Sequence, residues 1–195
     1  MYEIFLFVNP LGIACFKNEQ ILREFFANRG SRVCLTFVPL VNSTTVADDL
    51  RRKGLPSGSL TCFRQSSENA CQVLLLFHAI KLSAGNKKAR TFIYDLQKKV
   101  NDLHQPYSQK MAAQVADHLG LNFRELLILS RQAALRQSIA RDEAIADHYK
   151  IRRTPTTIIF NDATSEAGIL IEGALSENGL SQALLSQVSD DLRLL

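Results

Sequence analysis

The chain has 195 residues, of which 46% are hydrophobic and 22% are charged, and its formal net charge is +4. This length and composition suit a globular protein with a buried core and exclude extended disorder. No apolar run approaches the roughly 20 residues that a membrane-spanning helix needs, and the basic residues are scattered rather than interleaved with aromatics, so we expect neither a membrane nor a nucleic-acid partner.

The first sixty residues predict a βαβ unit followed by a loop. "YEIFLFV" (2–8) is a short apolar run typical of a buried strand, and apolar residues at helical spacing over 15–28 predict a helix. "SRVCLTFVPLV" (31–41) has no helical period and predicts a second strand, which should lie parallel to the first. After "NSTT" (42–45) a loop-like stretch with Gly54, Pro56, Gly58 and several serines leads to the helical region that begins at residue 69.

The middle of the chain predicts an almost wholly helical block over residues 69–149. An apolar segment (69–85) ends at a glycine, and amphipathic segments follow at 89–103, 108–120 and 132–149. Asn122 and Glu125 have the spacing of a capping box, which predicts a further helix start. This block separates the βαβ unit from the strands that follow.

The end of the chain predicts a β-hairpin and a closing helix. "TTIIF" (156–160) and "ILIEG" (169–173) read as short strands, joined by turn residues at 161–168, so we expect them to pair antiparallel. The closing helix should present one apolar stripe, formed by Leu180, Leu184, Leu185, Val188 and Leu192.

These elements predict an α/β fold in which the βαβ and ββα units share one mixed sheet. The helical block is then an insertion into a single sheet domain. We accordingly expect a first part of the sheet domain, an inserted helical subdomain and a second part of the sheet domain at residues 1–65, 66–149 and 150–195. In this arrangement the loop before Cys15 and the turn at Pro155 lie at the edge of one groove.

This order of elements, with "NPLGIAC" after the first strand and "RRTPTTIIF" opening the third, resembles the DsbA-like branch of the thioredoxin superfamily. Within it, "FVNPLGIACFKNEQIL", "DHLGLNFRELL" and "AIADHYKIRRTPTTIIFND" are most similar to the SpxH (YjbH) family. The resemblance implies a thioredoxin-like fold, a cis peptide bond at Thr154–Pro155, and a cytoplasmic adaptor that hands the transcription regulator Spx to the ClpXP protease. It also implies that backbone groups beside the proline are free to pair with an extended client.

The chain departs from this family's Cys-x-x-Cys motif, because Gly12, Ile13, Ala14 and Cys15 occupy its positions. In a Cys-x-x-Cys enzyme the first thiol is the nucleophile, stabilised as a thiolate at the helix N-terminus. Gly12 cannot attack a disulfide, so dithiol exchange is ruled out if Gly12 holds that position. A lone cysteine near a helix start is more often a small buried residue than a reactive group.

The other candidate residues predict no cofactor or metal site. The four cysteines are irregularly spaced in a chain too large to need disulfides, so we expect reduced thiols. No metal-type Cys or His spacing and no glycine-rich phosphate loop is present in the sequence. Cys34 and Cys71 read as packing residues. The N-terminus has no basic leader or small-residue cleavage site, which favours a cytoplasmic protein.

Two functional hypotheses follow. The first is a redox-inactive adaptor that binds Spx and promotes its degradation by ClpXP, with no catalytic residue and with a client surface near Gly12, Ile13, Ala14, Cys15, Thr154 and Pro155. The second is a monothiol disulfide oxidoreductase or isomerase that uses Cys15 or one of the other three cysteines.

Overall fold

We describe a computed structural model over residues 1–30, 32–161 and 168–191, with side chains described as far as residue 185. The strands in these ranges are β1 to β4, which span Tyr2–Val8, Val33–Pro39, Thr156–Asn161 and Ile169–Glu172. The helices there are α1 to α7, which span Ile13–Ala27, Ser43–Arg52, Leu60–Gln97, Gln109–His118, Phe123–Leu129, Ala133–His148 and Glu177–Asp191. A π-helical turn, Lys98–Asp102, continues α3.

The four strands form one mixed sheet in the order β2-β1-β3-β4. β1 pairs parallel with β2 and antiparallel with β3, and β3 pairs antiparallel with β4. The predicted parallel βαβ unit, the antiparallel hairpin and the shared mixed sheet are therefore confirmed. Most of the turn predicted at 161–168 lies outside the described residues.

β1 is the central strand, and it is buried on both faces of the sheet. Ile4 and Leu6 point into the main core, which α1, α3 and α4 complete. Phe7 points to the opposite face and packs with Ile158 and Ile151 in a second cluster. This two-sided burial explains why the sequence of β1 is a nearly continuous apolar run rather than an alternating one.

The inserted helices are built around α3, which contacts α2, α4, α5 and α6. Gly85 has φ 84 and ψ 168, a conformation outside helical geometry, so α3 is kinked there. Helical geometry resumes at once, which is why the two helices predicted at 69–85 and 89–103 form one interrupted helix. The predicted start at Asn122 is confirmed, since its side chain accepts hydrogen bonds from the backbone of Arg124 and Glu125.

The loop-like stretch predicted between residues 45 and 69 is wrong for most of its length, because α2 occupies Ser43–Arg52 and α3 already begins at Leu60. Asn42 and Thr45 form a reciprocal capping box at the start of α2. The pattern is inconspicuous because α2 buries only Val46 and Leu50 as apolar side chains. Two buried residues at i and i+4 are too few for a periodicity argument.

Three side-chain assignments also differ from the predictions. Cys34 and Cys71 are exposed, so they are not packing residues. Leu185 is 66% exposed, whereas Leu180 is fully buried, so the predicted stripe of α7 does not include Leu185. Val188 and Leu192, also placed on that stripe, lie outside the residues whose side chains are described. The division of the chain at residues 65 and 149 stays a prediction.

Candidate functional site

The loop between β1 and α1 is held by a buried asparagine. We call residues 9–15 the motif loop. The Asn9 side-chain oxygen accepts from the Leu11 amide at 3.1 Å, and its Nδ2 donates to the Thr45 carbonyl at 3.3 Å. The Asn9 carbonyl accepts from Gln97 Nε2 at 3.3 Å. The loop is therefore tied to both α2 and α3, and its polar groups are used within the chain.

The N-terminus of α1 is capped by a side chain from α2. Gly12 is the N-cap residue and has no side chain with which to bond the helix. Instead the Ile13 amide donates to Asp49 Oδ1 at 2.9 Å. Lys53 Nζ lies 2.7 Å from Asp49 Oδ2 and donates to the Leu11 carbonyl at 2.8 Å. A carboxylate thus occupies the positive end of the α1 dipole, where an exchange enzyme holds its thiolate.

The Cys15 thiol is buried beneath this helix end, with 1% of the residue exposed. Its Sγ accepts a hydrogen bond from the Asn9 amide at 3.3 Å. Burial is the main cause that raises the pKa of Cys15 to about 12, and the negative charge of Asp49 raises it further. The hydrogen bond from the Asn9 amide lowers this pKa, but by less than burial raises it. The thiol is therefore protonated at neutral pH, and the interpretation of Cys15 as a small buried residue is confirmed.

The second predicted segment, Thr154–Pro155, lies beside the motif loop and has the predicted cis peptide bond. The Thr154 side chain and Arg52 both act on the pKa of Cys15, which shows that the two segments are neighbours. Arg52 Nη1 donates to the Thr154 carbonyl at 2.7 Å, and the Gly173 amide donates to the Pro155 carbonyl at 2.8 Å. The expectation of free backbone groups is therefore wrong for these two carbonyls. The donor to the Thr154 carbonyl, Arg52, lies on α2, a helix in a stretch that was predicted to be a loop.

The structure brings the six predicted site residues together, but it exposes few of them. The half-buried residues are Ile13 and Ala14, and the buried ones are Gly12, Cys15, Thr154 and Pro155. The accessible part of this site is therefore the first turn of α1.

A cavity of about 820 Å³ lies on the α2 side of the motif loop. We call it the Asn101 cavity. It is open to solvent on one side and is bounded by the motif loop, α2, the start of α3 and the segment that follows α3. Its lining includes Leu11, Asp49, Lys53, Asn69, Asn101 and Tyr107. Sequence reasoning missed it because its walls come from four distant segments that show no common pattern.

A second cluster that the sequence did not reveal joins α3 to α6. His78 Nδ1 lies 2.9 Å from Ser138 Oγ, and its Nε2 lies 3.7 Å from Asp142 Oδ2. Burial and the nearby Lys81 charge lower the pKa of His78 to about 4, so the ring is neutral at pH 7. Ser138 is 5% exposed and no substrate could reach its hydroxyl, so the cluster is a structural contact rather than a catalytic triad.

Metal-binding and membrane-crossing features are absent from the described ranges. Over residues 1–30, 32–161 and 168–191, no group of three or more His, Cys, Asp or Glu side chains is arranged to hold a metal ion. No helix in that part of the chain has the length and apolar character needed to cross a bilayer.

Two solved structures illustrate the fold to which this chain is similar. Pseudomonas aeruginosa DsbA2 superposes with a TM-score of 0.63 at 16% identity, covering 94% of this chain and 86% of that one. A thioredoxin-like oxidoreductase from Silicibacter pomeroyi DSS-3 gives a TM-score of 0.62 at 13% identity, covering 95% and 85%. The predicted DsbA-like thioredoxin fold, with a mixed sheet and inserted helices, is confirmed.

Curated relatives support the predicted resemblance at low identity. The ClpXP adapter protein SpxH of Staphylococcus saprophyticus is 23% identical over 172 residues, which are 88% of this chain and 60% of the relative. SpxH of Staphylococcus aureus is 22% identical over 173 residues, with 88% and 60% coverage. The chain thus spans about 60% of the length of these relatives.

A family-level comparison covers nearly the whole chain. The sequence model of the family described as Thioredoxin matches residues 5–182. The match begins within β1 and includes β2 to β4, the motif loop and the turn at Thr154–Pro155. The chain therefore belongs to the thioredoxin family.

Proposed function

We propose that the chain is a redox-inactive adaptor that binds the transcription regulator Spx in the cytoplasm and promotes its degradation by ClpXP. The observation that carries the proposal is the buried Cys15 thiol next to Gly12, which is an exchange motif without an attacking sulfur. The similarity to proteins named ClpXP adapter protein SpxH supports the choice of client and protease.

The motif loop offers poor conditions for thiol chemistry. Disulfide exchange needs a thiolate that can reach its target. At the first motif position Gly12 has no sulfur, and the adjoining helix end already holds the Asp49 carboxylate. The remaining thiol is buried and its pKa is raised, so its thiolate is scarce at neutral pH. An adaptor needs none of this chemistry.

We place the client surface at the six predicted residues, with Ile13 and Ala14 as its accessible part. Cys15, Thr154 and the other buried members would support this turn from below rather than touch the client. An adaptor works by holding its client near the protease, which raises the local concentration of the client. The site therefore has to recognise a protein surface and to transform nothing.

A degradation assay with purified Spx and ClpXP tests the proposal. Adding the protein should shorten the lifetime of Spx, and Cys15→Ser should retain most of the effect. Ile13→Glu should abolish the effect, because it places a charge at the proposed contact. Ile128→Glu is the matched control, since Ile128 is 61% exposed on α5, a helix that contacts α3 and α4. An unchanged Spx lifetime would remove the adaptor proposal.

The alternative is a monothiol oxidoreductase or isomerase that uses Cys15. The fold shared with a thioredoxin-like oxidoreductase favours it, whereas the burial of Cys15 opposes it. Its test is the rate at which Cys15 exchanges with a model disulfide, measured in a protein whose other three cysteines are changed to serine. A rate typical of disulfide exchangers, lost in Cys15→Ser, would establish the enzyme and end the adaptor proposal.

A further inference from the structure

The charged side chains that line the Asn101 cavity leave one positive charge without a counter-charge. They are Asp49, Arg52 and Lys53. Asp49 and Lys53 cancel each other, because Asp49 Oδ2 lies 2.7 Å from Lys53 Nζ while its Oδ1 accepts from the Ile13 amide. Arg52 is exposed and forms no ion pair within the residues that the structure describes. The cavity therefore favours a negatively charged occupant.

The Arg52 side chain is held in place by a backbone carbonyl, so its orientation is fixed before a ligand arrives. Its Nη1 donates to the carbonyl of Thr154, a residue that is 1% exposed, at 2.7 Å. A guanidinium carries further N–H donors in a planar fork. Nε and Nη2 make no hydrogen bond with any described residue. These two atoms form the edge of the guanidinium that can bind both oxygens of a carboxylate.

The chain segments that meet at Arg52 carry an excess of positive charge. Residues 48–53 and 147–154 contain six lysine and arginine residues and three aspartates. The two segments are neighbours, since Arg52 bonds to Thr154 and Asn42 Nδ2 donates to the Arg152 carbonyl at 3.3 Å. Each aspartate already has a basic partner: the pairs are Asp48–Arg51, Asp49–Lys53 and Asp147–Arg152. The remaining positive charge attracts an acidic partner to this end of the cavity.

The other lining groups are compatible with a ligand that is acidic at one point and apolar beside it. Among the neutral polar side chains, Gln65, Asn69 and Gln105 carry amide N–H groups that can donate to a carboxylate. The unpartnered polar atoms of Asn101 and Tyr107 are inaccessible to solvent, so a ligand in the cavity does not reach them. The apolar side chains of the lining near α2 are Leu11, Ile13, Val46 and Leu55. Leu55 is 47% exposed, so this apolar surface is open to a partner.

We propose that the Asn101 cavity binds an acidic peptide segment, with an Asp or Glu carboxylate on the free edge of Arg52 and a neighbouring apolar side chain against Leu55 and Ile13. The cavity volume of about 820 Å³ exceeds what a single carboxylate fills and lies within the range of ligand pockets. Since Ile13 belongs both to this lining and to the accessible turn of the motif loop, the segment comes from the client bound there. The inference rests on the proposed function for this source of the peptide only.

The test is a nuclear magnetic resonance titration of the ¹⁵N-labelled full chain with two peptides of equal size. The acidic peptide is acetyl-Leu-Glu-Leu-Glu-amide, and the neutral one replaces both glutamates by glutamine. We expect saturable shifts of the Arg52 Nε–H signal and of the Ile13 and Leu55 amides. The acidic peptide should bind at least about fivefold more tightly, the upper range for a partly exposed ion pair, and added salt should reduce this preference.

Two arginine variants test whether the preference depends on Arg52. Arg52→Gln should abolish it, whereas Arg51→Gln should retain it, because Arg51 is paired with Asp48 and does not line the cavity. Arg52→Lys should keep only part of it, since a lysine keeps the charge but lacks the planar fork. The preference is a ratio of two affinities in the same protein, so a general loss of stability in a variant does not imitate the expected result.

Three results would overturn the inference: equal affinity of the parent chain for the two peptides, a preference that survives in Arg52→Gln or is equally lost in Arg51→Gln, or sodium glutarate binding as tightly as the acidic peptide. The last result would assign the cavity to small carboxylates. The titration contains neither Spx nor ClpXP, so its failure leaves the adaptor proposal standing. Conversely, a preference that depends on Arg52 in a protein with no effect on Spx lifetime would refute the adaptor and keep the peptide site.

Discussion

The motif loop and the Asn101 cavity both contact α2, but they differ in whether their buried polar side chains are hydrogen-bonded. In the motif loop the side chain of Asn9, the Ile13 amide and the Asp49 carboxylate all bond within the chain. In the cavity, Asn101 and Tyr107 carry polar atoms without partners among the described residues. The first region therefore bonds its buried polar groups within the chain, whereas the second leaves the Asn101 and Tyr107 polar atoms without such bonds in the described residues.

Two buried asparagines make the contrast measurable. Asn18 on α1 is 1% exposed, and its Nδ2 donates to the Gly173 carbonyl at 2.8 Å while its Oδ1 accepts from the Leu175 amide at 2.9 Å. Asn101 is 6% exposed and makes neither kind of bond in the described chain. The same residue type therefore stabilises the fold at one position and costs free energy at the other.

The largest expected effect is the restoration of a disulfide by Gly12→Cys. A Cβ atom added at Gly12 would lie 3.0 Å from Cys15 Sγ, about the distance that a disulfide sets between a Cβ and the partner sulfur. Gly12 has φ −72 and ψ 127, a conformation open to any L-residue. Oxidised glutathione should therefore close a 12–15 disulfide, with glutathione disulfide reduced to two thiols.

Intact-mass spectrometry checks this prediction in a protein whose Cys34, Cys62 and Cys71 are changed to serine, since closure then removes two hydrogens and leaves no glutathione attached. Gly12→Ser is the matched control, because it adds the same Cβ without a sulfur. If Gly12→Cys folds and yet forms no internal disulfide, the motif loop lacks the geometry of an exchange site as well as its first sulfur.

The second prediction compares the two asparagines directly. Asn18→Leu should lower the free energy of unfolding by roughly 2–4 kcal/mol, because it leaves the Gly173 carbonyl and the Leu175 amide without their partner. Asn101→Leu should change it by less than about 0.5 kcal/mol or raise it, since no buried bond is lost. Urea unfolding measures both values. An equal loss for the two variants would show that Asn101 is part of the structural core.

The third prediction concerns His78, which lies between these extremes, with Nδ1 bonded to Ser138 and Nε2 unpartnered in the described chain. Its pKa of about 4 in the fold lies below the ordinary 6.5. The unfolded chain therefore binds a proton that the folded chain does not between these two values, and stability falls as pH drops through that window. The loss should reach about 3 kcal/mol, with no contribution above pH 6.5.

Burial also raises the pKa of Asp142, and this shift acts in the opposite direction, because the folded chain takes up that proton first. The measurement is therefore the difference between the parent chain and His78→Gln in their unfolding free energies, followed from neutral pH to pH 4. His118→Gln, at an exposed histidine on α4, is the matched control. Parallel pH profiles for the parent and His78→Gln would contradict the assigned pKa.

Local patterns predicted most of the fold but little of the cavity. β1 could be read from its apolar run, and the hairpin from its β-branched strands, because these signals are contiguous in sequence. The sequence did not predict α2, since this helix buries only two apolar side chains. Asp49, Arg52 and Lys53, which lie on α2 or directly after it, were therefore not predicted as residues of the site. Asn101 meets α2 only through tertiary folding, so no sequence spacing could predict their shared cavity.

The smallest expected effect concerns Asp49, the α2 carboxylate that contacts the motif loop and also lines the cavity. Asp49 raises the pKa of Cys15, but burial is the larger cause, so Asp49→Asn should lower that pKa while leaving it above the ordinary range. Thiolate absorbance against pH measures it in a protein whose other cysteines are serine. Asp48→Asn is the control, because Asp48 pairs with Arg51. Equal changes of the Cys15 pKa in the two variants would mean that Asp49 has no specific influence on the thiol. Burial would then be the cause of its raised pKa without a contribution from Asp49.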